Sequence, residues 1–369
     1  MSKLDVSSPS FNWGELGFSY RRTNSHIIYK FKDGKWDNGE LVSEPYLPMH
    51  IAATALHYGQ TCFEGLKAFR MKDGKVRVFR PQANAERIIQ SCEYTMMAAP
   101  TVDMFLDGLK RVIADNIEYV PPYGSGASLY IRPVLFGTEA KVGLSSSEEY
   151  AFIIFVTPVS DYYKGGMSNP VQSLIMANTD RAAPFGTGHI KIGGNYVATV
   201  RSSYLAKKRG YPVLLFLDSA TRTYIEEFAT SNFFALTPAD ANGKRHYVTP
   251  KSHSILNSVT NRSLEKVAKD ILGWEVERRR IAFSEVEQGK FDEIAACGTA
   301  VVITPVGEID HEVVKEDGSI VVNKHVIGDG KTVGAGLTEL YHTLVDIQNG
   351  EREDPFQWMW PANGIEADN

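Results

Sequence analysis

HIKIGGNYVATV, residues 189–200, sets a lysine, a glycine pair and a tyrosine at the entrance to a helical pattern. Gly193 and Gly194 lack a Cβ, so the backbone there can approach a bound group closely. A helix is expected over 197–209, with Lys191 just outside it and Tyr196 at its first turn. A lysine held in a tight loop suits Schiff-base chemistry, because its amine must be fixed and partly desolvated to stay nucleophilic. A surface lysine in a glycine turn has the same letters, so the neighbouring sequence has to decide.

Towards the N-terminus, β-prone runs at 66–71 and 76–79 flank Lys72-Asp73-Gly74-Lys75, an Asp-Gly hairpin signal. Pro81 then stands where a first helical residue should, followed by an apolar stripe of Ala85, Ile88, Ile89 and Cys92. A second helix is expected from Thr101, its N-cap, to about 117, with Leu109, Val112 and Ile113 inward. Strands follow at 127–135 and 150–158. Beyond Lys191, strands are expected at 213–217 and 232–236 and helices at 260–272 and 337–347. Strands and helices interleave without the alternation of a doubly wound parallel sheet, which predicts two α+β domains with mixed or antiparallel sheets. The polar, glycine-containing stretch 161–169 marks the division. Taking 164–170 as the linker gives domains of 1–163 and 171–369, the second carrying Lys191.

Composition excludes other classes. The 369 residues are enough for about two domains, and 43% hydrophobic with 22% charged residues is the balance of a globular protein. A net charge of −5 supplies no broad field for nucleic acid or anionic lipid. Cys62, Cys92 and Cys297 are odd in number and include no CxxC pair, so a reducing compartment is expected rather than a disulfide scaffold. The strongest apolar run, 151–156, is far short of the roughly 20 residues that span a bilayer. MSKLDVSSPSFNW at the start has neither the apolar core of a secretory signal nor an Arg-rich presequence, and a cytoplasmic protein is expected.

Some familiar patterns fail. HVIGDGKT, 325–332, ends like a phosphate-binding loop, but His325 replaces the first glycine and no clear strand-to-helix turn is expected there. Gly334-Ala335-Gly336 is too short for a dinucleotide fingerprint. The nine histidines show no HExxH or comparable spacing, so no metal site is expected. Arg278-Arg279-Arg280 reads as a solvated strand end.

Three further stretches carry chemistry. In TYIEEFATSNFFAL, 223–236, a strand would turn one of Glu226 and Glu227 inward, where it needs a cationic or proton-bearing partner; a strand-end carboxylate in solvent is the plainer alternative. In ILNSVTNRSLEKV, 255–267, the N–H groups at the start of a helix could hold a phosphate, or Ser258 could simply be an N-cap. CGTA, 297–300, is a small-residue turn offering a hydroxyl and N–H groups.

Together with HYGQTCFEGLKAFR (57–70), VFRPQANAER (78–87), SLYIRPVLFGTEAKVGL (128–144) and IGDGKT (327–332), these stretches resemble the fold-type IV pyridoxal-phosphate enzymes. Within that class they resemble the branched-chain amino acid aminotransferases, in matching order from about 57 to 348. The resemblance implies an α+β fold of two mixed α/β domains in the D-amino acid aminotransferase-like architecture, with pyridoxal 5′-phosphate as cofactor. It implies that Lys191 binds the cofactor covalently and moves the substrate proton, and that Glu227 pairs with the pyridine nitrogen. Tyr196 would bind the phenolic oxygen. Arg87, Val259, Thr260 and Thr299 would hold the phosphate. Tyr58, Phe63 and Tyr130 would wall an apolar substrate pocket bordered by Thr230 and Ala300, and Arg132 would pair with the side-chain carboxylate of glutamate. Tyr130 and Arg132, two apart on an expected strand, share a face.

The implied reaction transfers an amino group between leucine, isoleucine or valine and 2-oxoglutarate by a ping-pong route, with 2-oxo acids and glutamate as the other small-molecule partners. A homodimer or larger assembly is implied, with no nucleic acid and no membrane. After CGTA comes Val301-Val302-Ile303-Thr304, so the redox CxxC of mammalian relatives is absent. The competing readings are a D-amino acid aminotransferase or aminodeoxychorismate lyase on the same fold, and a non-catalytic binding protein.

Overall fold

The Lys72–Lys75 turn forms as its chemistry requires. Gly74 adopts φ +79°, and Asp73 accepts the N–H of Lys75 at 3.0 Å while Met71 N–H reaches Lys75 O at 2.9 Å. The computed structural model describes residues 11–160 and 166–367, so the first part of the expected linker, 164–165, lies outside the described residues. By their contacts the residues fall into two units, 1–162 with 191–193 and 346–369, and 163–190 with 194–345. These contact units differ from the expected second domain, 171–369 with Lys191, in two places. Residues 191–193 group with the first unit because Ile192 bridges Cys62 and Phe63 N–H donates to Lys191 O at 3.0 Å. Residues 346–369 join it because a last strand, Met359–Ile365, pairs with Val76–Phe79.

In the first unit the chain forms β1 (His26–Lys32), β2 (Lys35–Trp36), β3 (Glu40–Val42), α1 (Thr54–Tyr58), β4 (Thr61–Phe63) and β5 (Leu66–Arg70). It continues through β6 (Val76–Phe79), α2 (Pro81–Tyr94), α3 (Val102–Asp115), β7 (Ser128–Gly137) and β8 (Tyr150–Val159). All of its strand pairings are antiparallel, with β7 and β8 at the centre in one unbroken register from Ser128↔Val159 to Gly137↔Tyr150. Pro81 is at the first turn of α2, and Thr101 caps α3 by accepting the N–H of Met104. The apolar stripes of the two helices, with Ile88, Cys92, Leu109, Val112 and Ile113, pack on Leu129, Ile131, Phe152 and Ile154.

The second unit has β9 (Val171–Ile175), α4 (Gly193–Lys208, all but its first residue), β10 (Val213–Leu217), β11 (Ile225–Phe228), β12 (Asn232–Leu236), β13 (His246–Pro250) and α5 (Val259–Lys266). Then come β14 (Glu275–Arg279), α6 (Ser284–Glu287), β15 (Glu293–Gly298), β16 (Val302–Val314), β17 (Ile320–Val326) and α7 (Ala335–Asn349), whose last turn from Asp346 groups with the first unit. Its sheet is mixed, with β9 parallel to β10 and β16. It closes on itself through β11–β10–β9–β16–β15–β12 and back to β11. β10 is apolar throughout because both of its faces are covered: Val213, Leu215 and Leu217 point to the main core, while Leu214 and Phe216 meet Ala206 of α4. The helix expected at 197–209 starts four residues earlier, since Gly193 and Gly194 are helical. The helix expected at 260–272 changes to wider π winding over Val267–Ile271.

The rejected motifs have physical endings. A loop does join β17 to α7, contrary to expectation, but the carboxylate of Asp329 takes the N–H groups of Lys331 and Thr332 (2.8 Å each) that a phosphate loop would offer. The N-terminus of α7 is filled by Glu293, which accepts from Gly336 (3.0 Å) and Leu337 (2.7 Å). The arginine run is not simply solvated: Arg278 pairs with Glu265, Arg279 with Glu277 and Glu285, and Arg280 covers the Tyr224 ring. No helix of the described residues is long and apolar enough to cross a membrane.

Candidate active site

In the first unit, Lys191 is fixed through its main chain. Its N–H donates to Ser91 Oγ of α2 at 3.0 Å, and its carbonyl accepts from Phe63 at the end of β4. Its amine stands 4.7 Å from the centroid of the Phe63 ring. The next residue, Glu64, is fully buried and bidentate to Arg87, at 2.6 Å to Nε and 2.7 Å to Nη2, with Asn84 adding a bond of 2.7 Å. Asn84, Arg87 and Ser91 are three and four apart on α2, so helical spacing gathers them on one face. Burial pushes the Glu64 carboxyl up, but Arg87, the Lys191 charge and Asn84 outweigh it and hold it below the usual carboxylate range. Gly65 carries no Cβ because one would overlap the Tyr130 hydroxyl.

Tyr130 and Arg132 share a face of β7, with Arg132 Nη2 donating to the Tyr130 hydroxyl at 3.1 Å. The guanidinium carbon lies 4.8 Å from the Phe63 centroid and 5.4 Å from that of Tyr130. Phe63 therefore touches both the lysine amine and the arginine. Phe18, unremarked in the sequence, packs edge-on against Tyr130 at 4.8 Å. Tyr58 stands apart from this group: among the described residues its contacts are with His57 and the carbonyl of Val142.

The second unit holds Glu227 on β11. Both glutamates of the pair are buried, against the expectation that one faces inward. Glu226 accepts from Ser252 and Ser254, whereas Glu227 has the cation, Arg181 Nη2 at 2.7 Å. Glu227 also accepts from Leu256 N–H (3.0 Å) and Asn232 Nδ2 (2.7 Å). Burial pushes its carboxyl above the usual range, with Glu226 adding to the push and Arg181, Leu256 and Asn232 pulling against it. Asn232 connects onward, because its Oδ1 accepts from Asn261, which is anchored by Tyr247 and Thr249.

Asn261 is the third residue of α5, and its N–H is capped by Ser258 Oγ at 3.2 Å. Helix geometry leaves the N–H groups of Val259 and Thr260 without intrahelical acceptors. The Glu227 carboxylate and this helix terminus are thus parts of one hydrogen-bonded network. Thr299 and Ala300 form the turn between β15 and β16, beside Val302 at φ +64°. That conformation costs a β-branched residue on the order of 1–3 kcal/mol, a strain typical of sites that must hold a turn in one shape. Thr230 is exposed in the bend between β11 and β12, and Tyr196 is half-buried in the first turn of α4. Asn195, next to it, donates to Thr187 O (2.7 Å) and Ile190 O (2.8 Å), tying down the loop that leads to Lys191.

Glu64, Asn84, Ser91, Arg181, Asn232 and Asn261 were not assigned from the sequence. The signals available were the helical spacing about Arg87 and the register that sets Asn232 opposite Glu227.

The profile described as Amino-transferase class IV matches residues 61–309. The branched-chain-amino-acid aminotransferase of Haemophilus influenzae is 42% identical over 353 residues, which cover 94% of this chain and 98% of that protein. The crystal structure of the Escherichia coli branched-chain amino acid aminotransferase aligns at a TM-score of 0.72 and 25% identity, over 91% of this chain and 98% of that one. The branched-chain amino acid aminotransferase of T.th., solved with pyridoxamine 5′-phosphate, shares the fold at a TM-score of 0.71 and 22% identity, over 91% and 98% of the two chains. The chain belongs to the class IV aminotransferases. Each unit holds groups whose chemistry suits the cofactor of such enzymes: in the first a fixed amine for an aldehyde and an arginine for a phosphate dianion, in the second a buried carboxylate for a pyridinium and helix N–H groups for a phosphate.

Proposed function

We propose that Lys191 is the catalytic amine of this enzyme, and that Arg87, Tyr196, Glu227, Val259, Thr260 and Thr299 hold its pyridoxal 5′-phosphate. The reaction is transfer of an amino group between leucine, isoleucine or valine and 2-oxoglutarate. When bound, the cofactor supplies an aldehyde that condenses with amines and a ring that accepts the electron pair left at Cα. The residues do the rest. Lys191 Nζ removes the Cα proton of the amino donor, and in the second half-reaction it returns a proton to the 2-oxo acid. Because Ser91 and Phe63 pin its main chain, only side-chain torsions move the amine.

Glu227 keeps a pyridine nitrogen protonated, and its bonds to Arg181, Leu256 and Asn232 fix the carboxylate plane. Val259 and Thr260 offer N–H groups, Thr299 a hydroxyl and Arg87 a charged fork to the phosphate, while Tyr196 binds the phenolic oxygen. The reading is supported above all by the double anchoring of Lys191. A steady-state assay across amino donors with 2-oxoglutarate tests it. Leucine, isoleucine and valine are expected to react with parallel double-reciprocal lines; D-alanine as the preferred donor would transfer the chain to the D-amino acid branch of the fold.

Phe63, Tyr130 and Arg132 form the substrate wall, and Tyr58, Thr230 and Ala300 are the further residues proposed to meet the substrate. Resting on two aromatic rings, the guanidinium can meet a glutamate carboxylate, while the ring faces suit a branched aliphatic chain. Arg132→Ala is expected to lower kcat/KM for glutamate by roughly 10- to 100-fold, the worth of a charged hydrogen bond, and that for leucine by less than about threefold. Equal losses for both would remove Arg132 from the role.

The assembly is a homodimer. Ile51, Val142 and Leu144 are exposed on loops joined by the bond from Lys141 N–H to Ala52 O at 3.0 Å, Leu56 is exposed on α1, and such apolar residues suit a second copy. The protein works in the cytoplasm, in keeping with Cys62, Cys92 and Cys297 as free buried thiols.

A further inference from the structure

His311 on β16 and His325 on β17 are far apart in sequence but adjacent across a hairpin. The register pairs His311 with Asn323 and Ile309 with His325, so the histidines are offset by two residues and share one face. Phe283 packs edge-on against both rings, at 4.8 Å from His311 and 5.2 Å from His325. Glu287 follows Phe283 by four residues at the end of α6, on the same side of that helical turn. One ligand atom from each of Glu287, His311 and His325 lies within 4.8 Å of the other two.

Two of the imidazole nitrogens, His311 Nδ1 and His325 Nε2, are buried with no hydrogen-bond partner. Such orphaned atoms are uncommon in folded proteins and call for a specific explanation. The other charges nearby are committed elsewhere: Arg222 bonds Asp180 at 2.8 Å and Glu312 pairs with Arg209 at 2.6 Å. Glu287 is thus the acid left to offset a cation, and its exposure gives an ion a path from solvent.

We propose that Glu287, His311 and His325 bind a zinc-class divalent cation that ties α6 to the β16–β17 hairpin. The site shares no residue with the proposed cofactor and substrate residues. Two imidazoles and a carboxylate select borderline first-row ions over magnesium or calcium, which prefer all-oxygen sites. A tetrahedral ion with ligands at about 2.0–2.1 Å needs donor atoms roughly 3.3 Å apart. The donors, within 4.8 Å of one another, must therefore close by at most about 1.5 Å, a distance within reach of side-chain torsions. A water takes the fourth position. The local sequence carries no sign of this, because the ligands come from three elements and only the hairpin register unites them.

The test uses the cofactor-loaded enzyme after dialysis against a chelator, titrated with Co²⁺ and with Zn²⁺. One equivalent of Co²⁺ is expected to give the visible bands of a four- or five-coordinate ion. Zn²⁺ at a hundredfold excess over its Kd is expected to raise Tm by roughly 5–10 °C. His311→Ala and His325→Ala abolish both signals, and Glu287→Gln, at an exposed position that leaves the core intact, weakens binding about tenfold or more. Transaminase activity in metal-free buffer stays within about twofold of the parent in all three variants. No stoichiometric Co²⁺ uptake, or uptake unchanged in Glu287→Gln, overturns the proposal. So does uptake that survives the histidine changes, which would put the ion on the cofactor. Should a histidine variant fail to fold, Glu287→Gln and His325→Gln decide the matter by the same titration.

Discussion

Lys191→Ala is expected to lower kcat by about 10³-fold or more while the protein stays folded. The loss is large because the amine has no substitute as a base: Glu64 is locked onto Arg87, and Phe63 offers only a ring face. The fold survives because the bonds that anchor residue 191 are main-chain bonds to Ser91 and Phe63, which alanine keeps. Among the contacts alanine gives up is the amine–ring contact with Phe63, worth about 0.5–1 kcal/mol at a part-exposed site. A Tm within a few degrees of the parent beside a collapsed kcat is the expected pair of results. Turnover within about tenfold of the parent would take the proton-transfer role away from Lys191.

That lysine was legible because its signals are local. A lysine, two glycines and a tyrosine lie within six residues, and the same is true of the Asp-Gly hairpin, Pro81 in the first turn of α2 and Thr101 capping α3. β10 was legible because a strand covered on both faces is apolar along its whole length, and β12 because it is apolar from Phe233 onward. β16 was not, because buried Asp310 and Glu312 interrupt its pattern and are balanced by Tyr211 and Arg209 from elsewhere in the chain. The site divides the same way. Lys191, Glu227 and the α5 terminus carry their own letters, whereas Arg181 and Asn261 matter only through partners tens of residues away, which no local pattern reveals. The grouping of 191–193 and 346–369 with the first unit was hidden for the same reason: it depends on pairings with Cys62 and with β6.

Glu64→Leu is expected to destabilise the protein by about 3–5 kcal/mol, because removing one member of a buried ion pair leaves the other charge uncompensated. Arg87 is itself buried, and Glu64 holds it at two points. For a unit of this size the change corresponds to a fall in Tm of roughly 6–20 °C. The double change Glu64→Leu with Arg87→Met is expected to regain most of that stability, since two apolar groups of similar volume replace the pair. Its activity should nevertheless stay low if Arg87 holds the phosphate, which separates the structural use of the arginine from its chemical one.

The pH dependence follows from the same pair. The folded carboxyl of Glu64 titrates below its ordinary value of 4.5, so the unfolded chain binds the proton more readily. The stabilisation is complete above pH 4.5 and is lost as pH falls through the folded value, so Tm should drop more steeply with acid in the parent than in Glu64→Leu. Parallel acid slopes, or a Tm for Glu64→Leu within about 2 °C of the parent, would mean that the buried pair contributes no net stability and that Arg87 is held by its other contacts.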